Sequence, residues 1–209
     1  MGDLSASAWQ NTVEPKARRN RKKLPPKPFP ALGCKTTLAE FFQSYPLGGE
    51  RVALCVEPTS ADLVNALFEC GTMDLTIPDP ENEIVRFVKK TVPENAILRK
   101  AKGPSIYDLR TNRGFDLWFD PGLLVRLTDQ SDRLHYRSQI KKRLRFGGYG
   151  IIAIPNAPND AGVSVASTSA LLGLYFELHA IVKAPRGLAS KLPLAIFKRW
   201  VGSSGRRRN

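Results

Sequence analysis

Apolar positions in this chain fall in short runs cut by proline and glycine, and most of the runs read as strands. RVALCV at Arg51 to Val56 is a continuous apolar strand stopped by Pro58. Ile84 to Val92 is rich in β-branched residues, and Ile106 to Arg110 and Phe115 to Phe119 are separated by the polar turn TNRG. In FDLWF, Phe115, Leu117 and Phe119 share one face while Asp116 and Trp118 share the other, the alternation of a strand with one buried side. Gly122 to Leu127 follows a Pro-Gly turn and reads as a further strand. YGIIAI at Tyr149 to Ile154 ends at Pro155, and Leu174 to Val182 alternates with Leu174, Phe176, Leu178, Ala180 and Val182 on one face.

Helical signals are fewer. Thr37 and Glu40 form a capping-box pattern ahead of Phe41, Phe42 and Tyr45, which predicts a short helix over 37–45. Thr59 and Asp62 open a second over 59–70, ended by Gly71. Asp129 to Arg145, if helical, sets Tyr136, Ile140 and Leu144 on one face and Arg133, Arg137 and Lys141 on another. Many strands, few helices and no strand-helix-strand rhythm predict a mainly β fold, a sandwich or barrel.

Charge changes the picture at the ends. The 209 residues carry 32 Lys and Arg against 19 Asp and Glu, a net charge of +13. Residues 1–30 hold seven basic and two acidic residues; residues 31–128 hold 11 and 13; residues 129–145 hold six and two; the last 27 hold eight basic and no acidic residues. The first block, Lys16, Arg18, Arg19, Arg21, Lys22, Lys23 and Lys27, runs among Pro25, Pro26, Pro28 and Pro30 and predicts a disordered arm that neutralises phosphates. Arg133, Arg137 and Lys141, and the tail residues Arg206, Arg207 and Arg208, are further candidate nucleic-acid contacts. The boundaries that follow are an arm at 1–30, a folded domain at 31–185 and a basic tail at 186–209. Within that tail, RGLASKLPLAIFKRW also suits an amphipathic membrane-surface segment or an arm docked on a neighbouring subunit.

Chemistry is thinly supplied. Cys34, Cys55 and Cys70 lie too far apart for a C-x-x-C pair and read as reduced, buried side chains. His135 and His179 read as structural or surface histidines. Asp116 with Asp120, and Asp79, Glu81 and Glu83, are weighed as cation ligands and read as solvated charge. RFGGYG lacks P-loop spacing and reads as a turn before a strand, and no nucleophile-elbow, zinc-protease or dinucleotide motif is present. No apolar run reaches the roughly 18 residues of a membrane span, and the start lacks a signal-peptide pattern, so a cytosolic origin is expected. The chain is not expected to be an enzyme, to bind metal or cofactor, or to take a small-molecule substrate.

The order of features resembles the coat proteins of small positive-strand RNA plant viruses, the ourmiavirus type among them. A basic, Pro-containing arm precedes GYGIIAIPNAPND, VSVASTSAL and LGLYFELHAIVKAP, and the likeness covers residues 15–30 and 147–185. It implies a jelly-roll β-sandwich with short helices and disordered basic termini. It further implies a structural subunit that self-assembles into a homo-oligomeric capsid shell and packages genomic single-stranded RNA. The virion and host cytoplasm would be its locations, with RRNRKK also suited to nuclear or nucleolar targeting. A monomeric RNA-binding protein of a ribonucleoprotein particle, of ribosomal-protein type, is the alternative.

Overall fold

The computed structural model describes residues 40, 51–58, 60–78, 83–88, 92–101, 113–186, 188 and 190–200. The predicted helix over 37–45, apart from Glu40, and the predicted strand at Ile106 to Arg110 lie outside them. The described chain begins with β1 (Arg51–Cys55), α1 (Ala61–Glu69), β2 (Thr72–Ile77), α2 (Glu83–Val88), β3 (Ile97–Lys100) and β4 (Phe115–Asp120). It continues with α3 (Leu123–Arg126), α4 (Gln130–Arg143), β5 (Leu144–Ala153), α5 (Val165–Leu172), a 3₁₀ turn (Gly173–Tyr175), β6 (Phe176–Val182) and β7 (Leu194–Arg199).

All seven strands form one sheet in the order β3-β2-β1-β4-β5-β7-β6. β1 pairs in parallel with β2 and with β4, β2 with β3, and β4 with β5. β7 is antiparallel to both neighbours, β5 and β6. The expected mainly β jelly-roll sandwich is therefore wrong: the fold is an open, doubly wound α/β sheet with helices on both faces.

Burial on both faces is the physical reason. Ala53, Cys55, Leu117, Phe119, Ile151, Ala153, Leu194 and Ile196 pack with Leu63, Leu67 and Val88 of α1 and α2. Leu54, Trp118, Ile152, Ala195 and Phe197 pack on the other side with Leu124, Tyr136, Ile140, Val165 and Leu172 of α3, α4 and α5. A strand covered on both sides reads as an unbroken apolar run, and that pattern does not distinguish a sandwich strand from a parallel one. Trp118, placed on an open face by its alternation with Asp116, is fully buried.

Two predicted strands are helices. EIVRFV forms α2 and LLVR forms α3. Both are short, α2 packs on α1 and α3 buries Leu123 and Leu124 beside the sheet, so tertiary packing overrides their strand propensity. VASTSALL, within the stretch matched to coat proteins, is α5, opened by a Ser164–Ser167 capping box. The predicted helix over 59–70 is α1, but Ser60 rather than Thr59 caps it, its Oγ accepting from Leu63 N at 3.2 Å. On the edge strand β6, Phe176 is buried and Leu178 exposed, and the register shift between Leu178 and Ala180 turns Ala180 and Val182 to the opposite face from Phe176. β7 comes from the stretch assigned to the basic tail, and its first four residues are buried.

RFGGYG belongs to β5, where the β4–β5 register shifts between Phe115 and Leu117. Gly147 takes φ +81°, and a Cβ on Gly148 would lie 2.9 Å from the Asp116 carbonyl oxygen and 3.0 Å from that of Arg145. Gly148→Ala should cost about 1–3 kcal/mol of stability in urea unfolding, since backbone on both sides must shift. Gly150→Ala, which meets the flexible Ile140 Cδ1 at 3.1 Å, should cost less; equal losses would mean that the bulge tolerates a side chain.

Candidate ligand crevice and cavity

β1 and β4 are neighbours in the sheet, yet the chain leaves β1 toward β2 and leaves β4 toward β5. That reversal is the switch point at which open α/β sheets hold ligands, outside the carboxyl ends of the strands. Val56 N donates to Phe119 O at 2.9 Å and carries the β1–β4 pairing one residue past β1. Glu57 follows, and its carboxylate forms an ion pair with Arg126 of α3 across the crevice. Both side chains are well exposed, so the pair is weak and readily opened. The turn into α1 contains Glu57, Pro58 and Ser60 but no glycine, and the helix start is satisfied by Ser60 itself.

At the end of β4, Asp120 has no solvent exposure. Its carboxylate accepts hydrogen bonds from the backbone N–H of Gly122 (2.8 Å), Leu123 (2.6 Å) and Leu124 (3.1 Å), fastening α3 to the strand. The Tyr136 hydroxyl of α4 hydrogen-bonds to the same carboxylate, and the Trp118 Nε1–H donates to Tyr136 Oη at 3.1 Å. The two rings meet edge to face, 5.7 Å apart at 82°. Burial raises the Asp120 pKa above the usual carboxylate value, and these hydrogen bonds partly oppose the rise.

On the other side of α3 is a cavity of about 280 Å³ between the first turns of α4 and α5. Leu124, Leu134, Val163 and Leu171 give it apolar walls, and Gln130, Arg133, Ser167 and Thr168 bring polar groups. Arg133 stitches its rim: Nε donates to Leu127 O at 2.8 Å, and the guanidinium also donates to Ala161 O. Asn159 adds a second stitch, donating to Val125 O at 3.2 Å while accepting from Val163 N at 2.8 Å. Thr168 is 2% exposed, and its hydroxyl has no hydrogen-bond partner. The hydroxyl thus gives the cavity wall a polar group.

The residues singled out from sequence separate. Lys16, Arg18, Arg19, Arg21, Lys22, Lys23, Lys27, Arg206, Arg207 and Arg208 lie outside the described residues. Arg133 is engaged with two backbone carbonyls. Arg137 and Lys141 both lie over the Tyr175 ring, at 5.7 and 3.6 Å from its centroid. Asp116 accepts from Val52 N at 3.1 Å and from Arg145 at 2.9 Å, a structural role at the opposite end of β4 from Asp120. His135 contacts Gln139 at 2.9 Å and His179 packs edge-on against Tyr149. Cys55 and Cys70 are free and buried, and burial raises both thiol pKa values. No group of three or more His, Cys, Asp or Glu suited to a metal ion occurs among the described residues. Glu57, Arg126, Gln130 and Thr168 were missed, because the first two meet only once β1 and β4 are neighbours and the last two only once α4 and α5 begin side by side. Asp120-Pro121-Gly122 closing a strand was the available signal.

No protein-family model and no curated protein matches the chain. Solved structures do. The NodS N-methyltransferase of Bradyrhizobium japonicum WM9 superposes with TM-score 0.58 at 16% identity, over 73% of this chain and 88% of that one. The 1,6-didemethyltoxoflavin N1-methyltransferase of Burkholderia thailandensis, solved with its namesake compound and S-adenosylhomocysteine, gives 0.60 at 18%, over 78% and 76%. A TehB-like SAM-dependent methyltransferase of Corynebacterium glutamicum gives 0.56 at 16%, over 78% and 88%. The likeness shows the fold. The capsid reading, with its RNA partner, homo-oligomeric shell and exclusion of enzymes and small-molecule substrates, rested on a jelly roll and falls with it.

The raised Asp120 pKa means that the folded state binds a proton there more readily than the unfolded chain. Its contribution to stability is greatest below the ordinary aspartate value and declines as pH rises through the folded value. Asp120→Asn should therefore make the loss of stability above about pH 4 shallower than in the parent protein, followed by urea melts across pH. A steeper loss would reverse the assignment.

Proposed function

We propose that the protein is a methyl-transfer enzyme that takes a sulfonium nucleoside donor, S-adenosylmethionine, at the β1–β4 crevice, with the acceptor meeting the donor methyl in that same crevice. The observation that carries this reading is the sheet, six parts parallel order and one inserted antiparallel strand, superposing on several solved methyltransferases over about three quarters of the chain.

The chemistry of the crevice supports a donor of this kind over a dinucleotide. A pyrophosphate needs a glycine turn and the free amides of a helix start. Here Pro58 and Ser60 stand in the turn, the Ser60 hydroxyl occupies an amide of α1, and Asp120 occupies those of α3. Glu57 adds negative charge, which suits a cation and ribose hydroxyls. When bound, the donor supplies an electrophilic methyl group. Glu57 would hold it once released from Arg126, and the turn after β1 would line it.

The cavity beyond α3 has no His, Asp, Glu or Lys in its lining and is separated from the crevice by α3, so it is a second space and not the place of the transfer. Thr168 and Gln130 give that space polar groups while the leucines exclude water, and the Ser167 hydroxyl is held by Ser164 and Gly162.

The glycine-free turn and the Val56–Phe119 rung favour a second reading, in which the fold is kept as a binding module without methyl transfer. Titration calorimetry tests the donor site on which the first reading rests. S-adenosylmethionine or S-adenosylhomocysteine should bind the full chain with Kd below about 1 mM, and Glu57→Gln should weaken binding about ten-fold. Absence of heat at millimolar donor would overturn the first reading.

A further inference from the structure

We propose that the end of the sheet opposite the ligand crevice is a docking surface for an anionic lipid bilayer. The start of β5, the end of β7 and the turn before β6 meet there. They expose three large apolar side chains together: Leu174 at 94%, Phe146 at 66% and Trp200 at 58%. Exposure of this kind on a folded domain marks a surface that is covered in use.

The three belong to one patch. Trp200 N donates to Tyr175 O at 3.1 Å, which sets Trp200 beside Tyr175 and its neighbour Leu174. Arg199 pairs across the strands with Phe176 and places its guanidinium 4.3 Å from the centre of the Phe146 ring. Lys141 and Arg137 lie over Tyr175 from the α4 side. Apolar tips thus project beside Arg137 and Lys141, neither of which pairs with a carboxylate among the described residues, while the Arg199 guanidinium also donates to Leu144 O. The nearby acids are already engaged or matched: Asp116 pairs with Arg145, and Glu177 stands opposite Lys198.

Charge and shape together select the occupant. Unpaired cations call for an anionic partner, and protruding Leu, Phe and Trp call for an apolar phase behind the charge. A bilayer with acidic headgroups supplies both within one depth, with the indole at the headgroup level and the cations on the phosphates. A nucleic-acid strand supplies the charge but offers nothing to Leu174, and Lys141 and Arg199 already occupy one face each of the Tyr175 and Phe146 rings that bases would stack upon.

The test is sedimentation of the full chain with vesicles, in the parent protein and in a Leu174→Ser, Trp200→Ser variant. Both sites are exposed, so the variant should keep the parent melting temperature. The parent should bind phosphatidylcholine vesicles containing about one third phosphatidylserine, and bind pure phosphatidylcholine vesicles at least ten-fold more weakly. The double variant, which retains every basic residue of both chain ends, should lose ten-fold or more on the anionic vesicles. Unchanged binding in the variant would assign the interaction to the basic ends and overturn the proposal. So would equal binding to the neutral vesicles, or a variant that loses affinity for polyuridylate while keeping it for vesicles.

Discussion

A carboxylate taken out of water must be satisfied by the protein on every side, and much of this fold is arranged around one such group. Asp120 closes the central strand β4, gathers the amides that begin α3 and meets the hydroxyl that α4 contributes through Tyr136. Trp118, two residues earlier on the same strand, completes the chain of contacts by donating to Tyr136. One acid therefore fixes where the chain turns after β4, how α4 lies on the sheet, and where α3 stands between crevice and cavity. Removing a partner would leave a buried polar group unpaired, which is costlier than the gain from any one of these bonds.

The elements legible in the sequence are those whose local signal agrees with their surroundings. RVALCV, FDLWF and YGIIAI are strands because their residues want an extended, buried backbone, and the helix after Ser60 has both a cap and an apolar face. What failed was the distinction between one covered face and two, which depends on partners distant in sequence. α2 and α3 are too short to display a helical period, and α5 is built of Val, Ala, Ser and Thr without a sharp polar side. Without these three helices no strand-helix alternation was visible, and the parallel sheet was lost with it.

The candidate site was legible in its parts and not in its arrangement. Arg133, Arg137 and Lys141 share a helix stripe and invited a common role, yet the first closes a cavity rim while the others sit over Tyr175 near the far end of the sheet. Clustered charge at the chain ends spoke about partners and not about fold, since net charge carries no topological information. Gln130 and Thr168, 38 positions apart, face one cavity only because α4 and α5 begin side by side.

The antiparallel strand β7 lies between β5 and β6, although β6 precedes it in the chain. Assembly of the sheet therefore cannot follow the order of synthesis: β6 is made with its place already separated from β5 by a strand that does not yet exist. Until Leu194–Arg199 inserts, β5 presents an unpaired edge rich in isoleucine, and β6 has no proper neighbour. Such an edge is a template for pairing with a second chain or for premature capture of β6 in the wrong slot. The eleven residues between β6 and β7 thus set how soon β7 can reach the gap beside β5 once it is made.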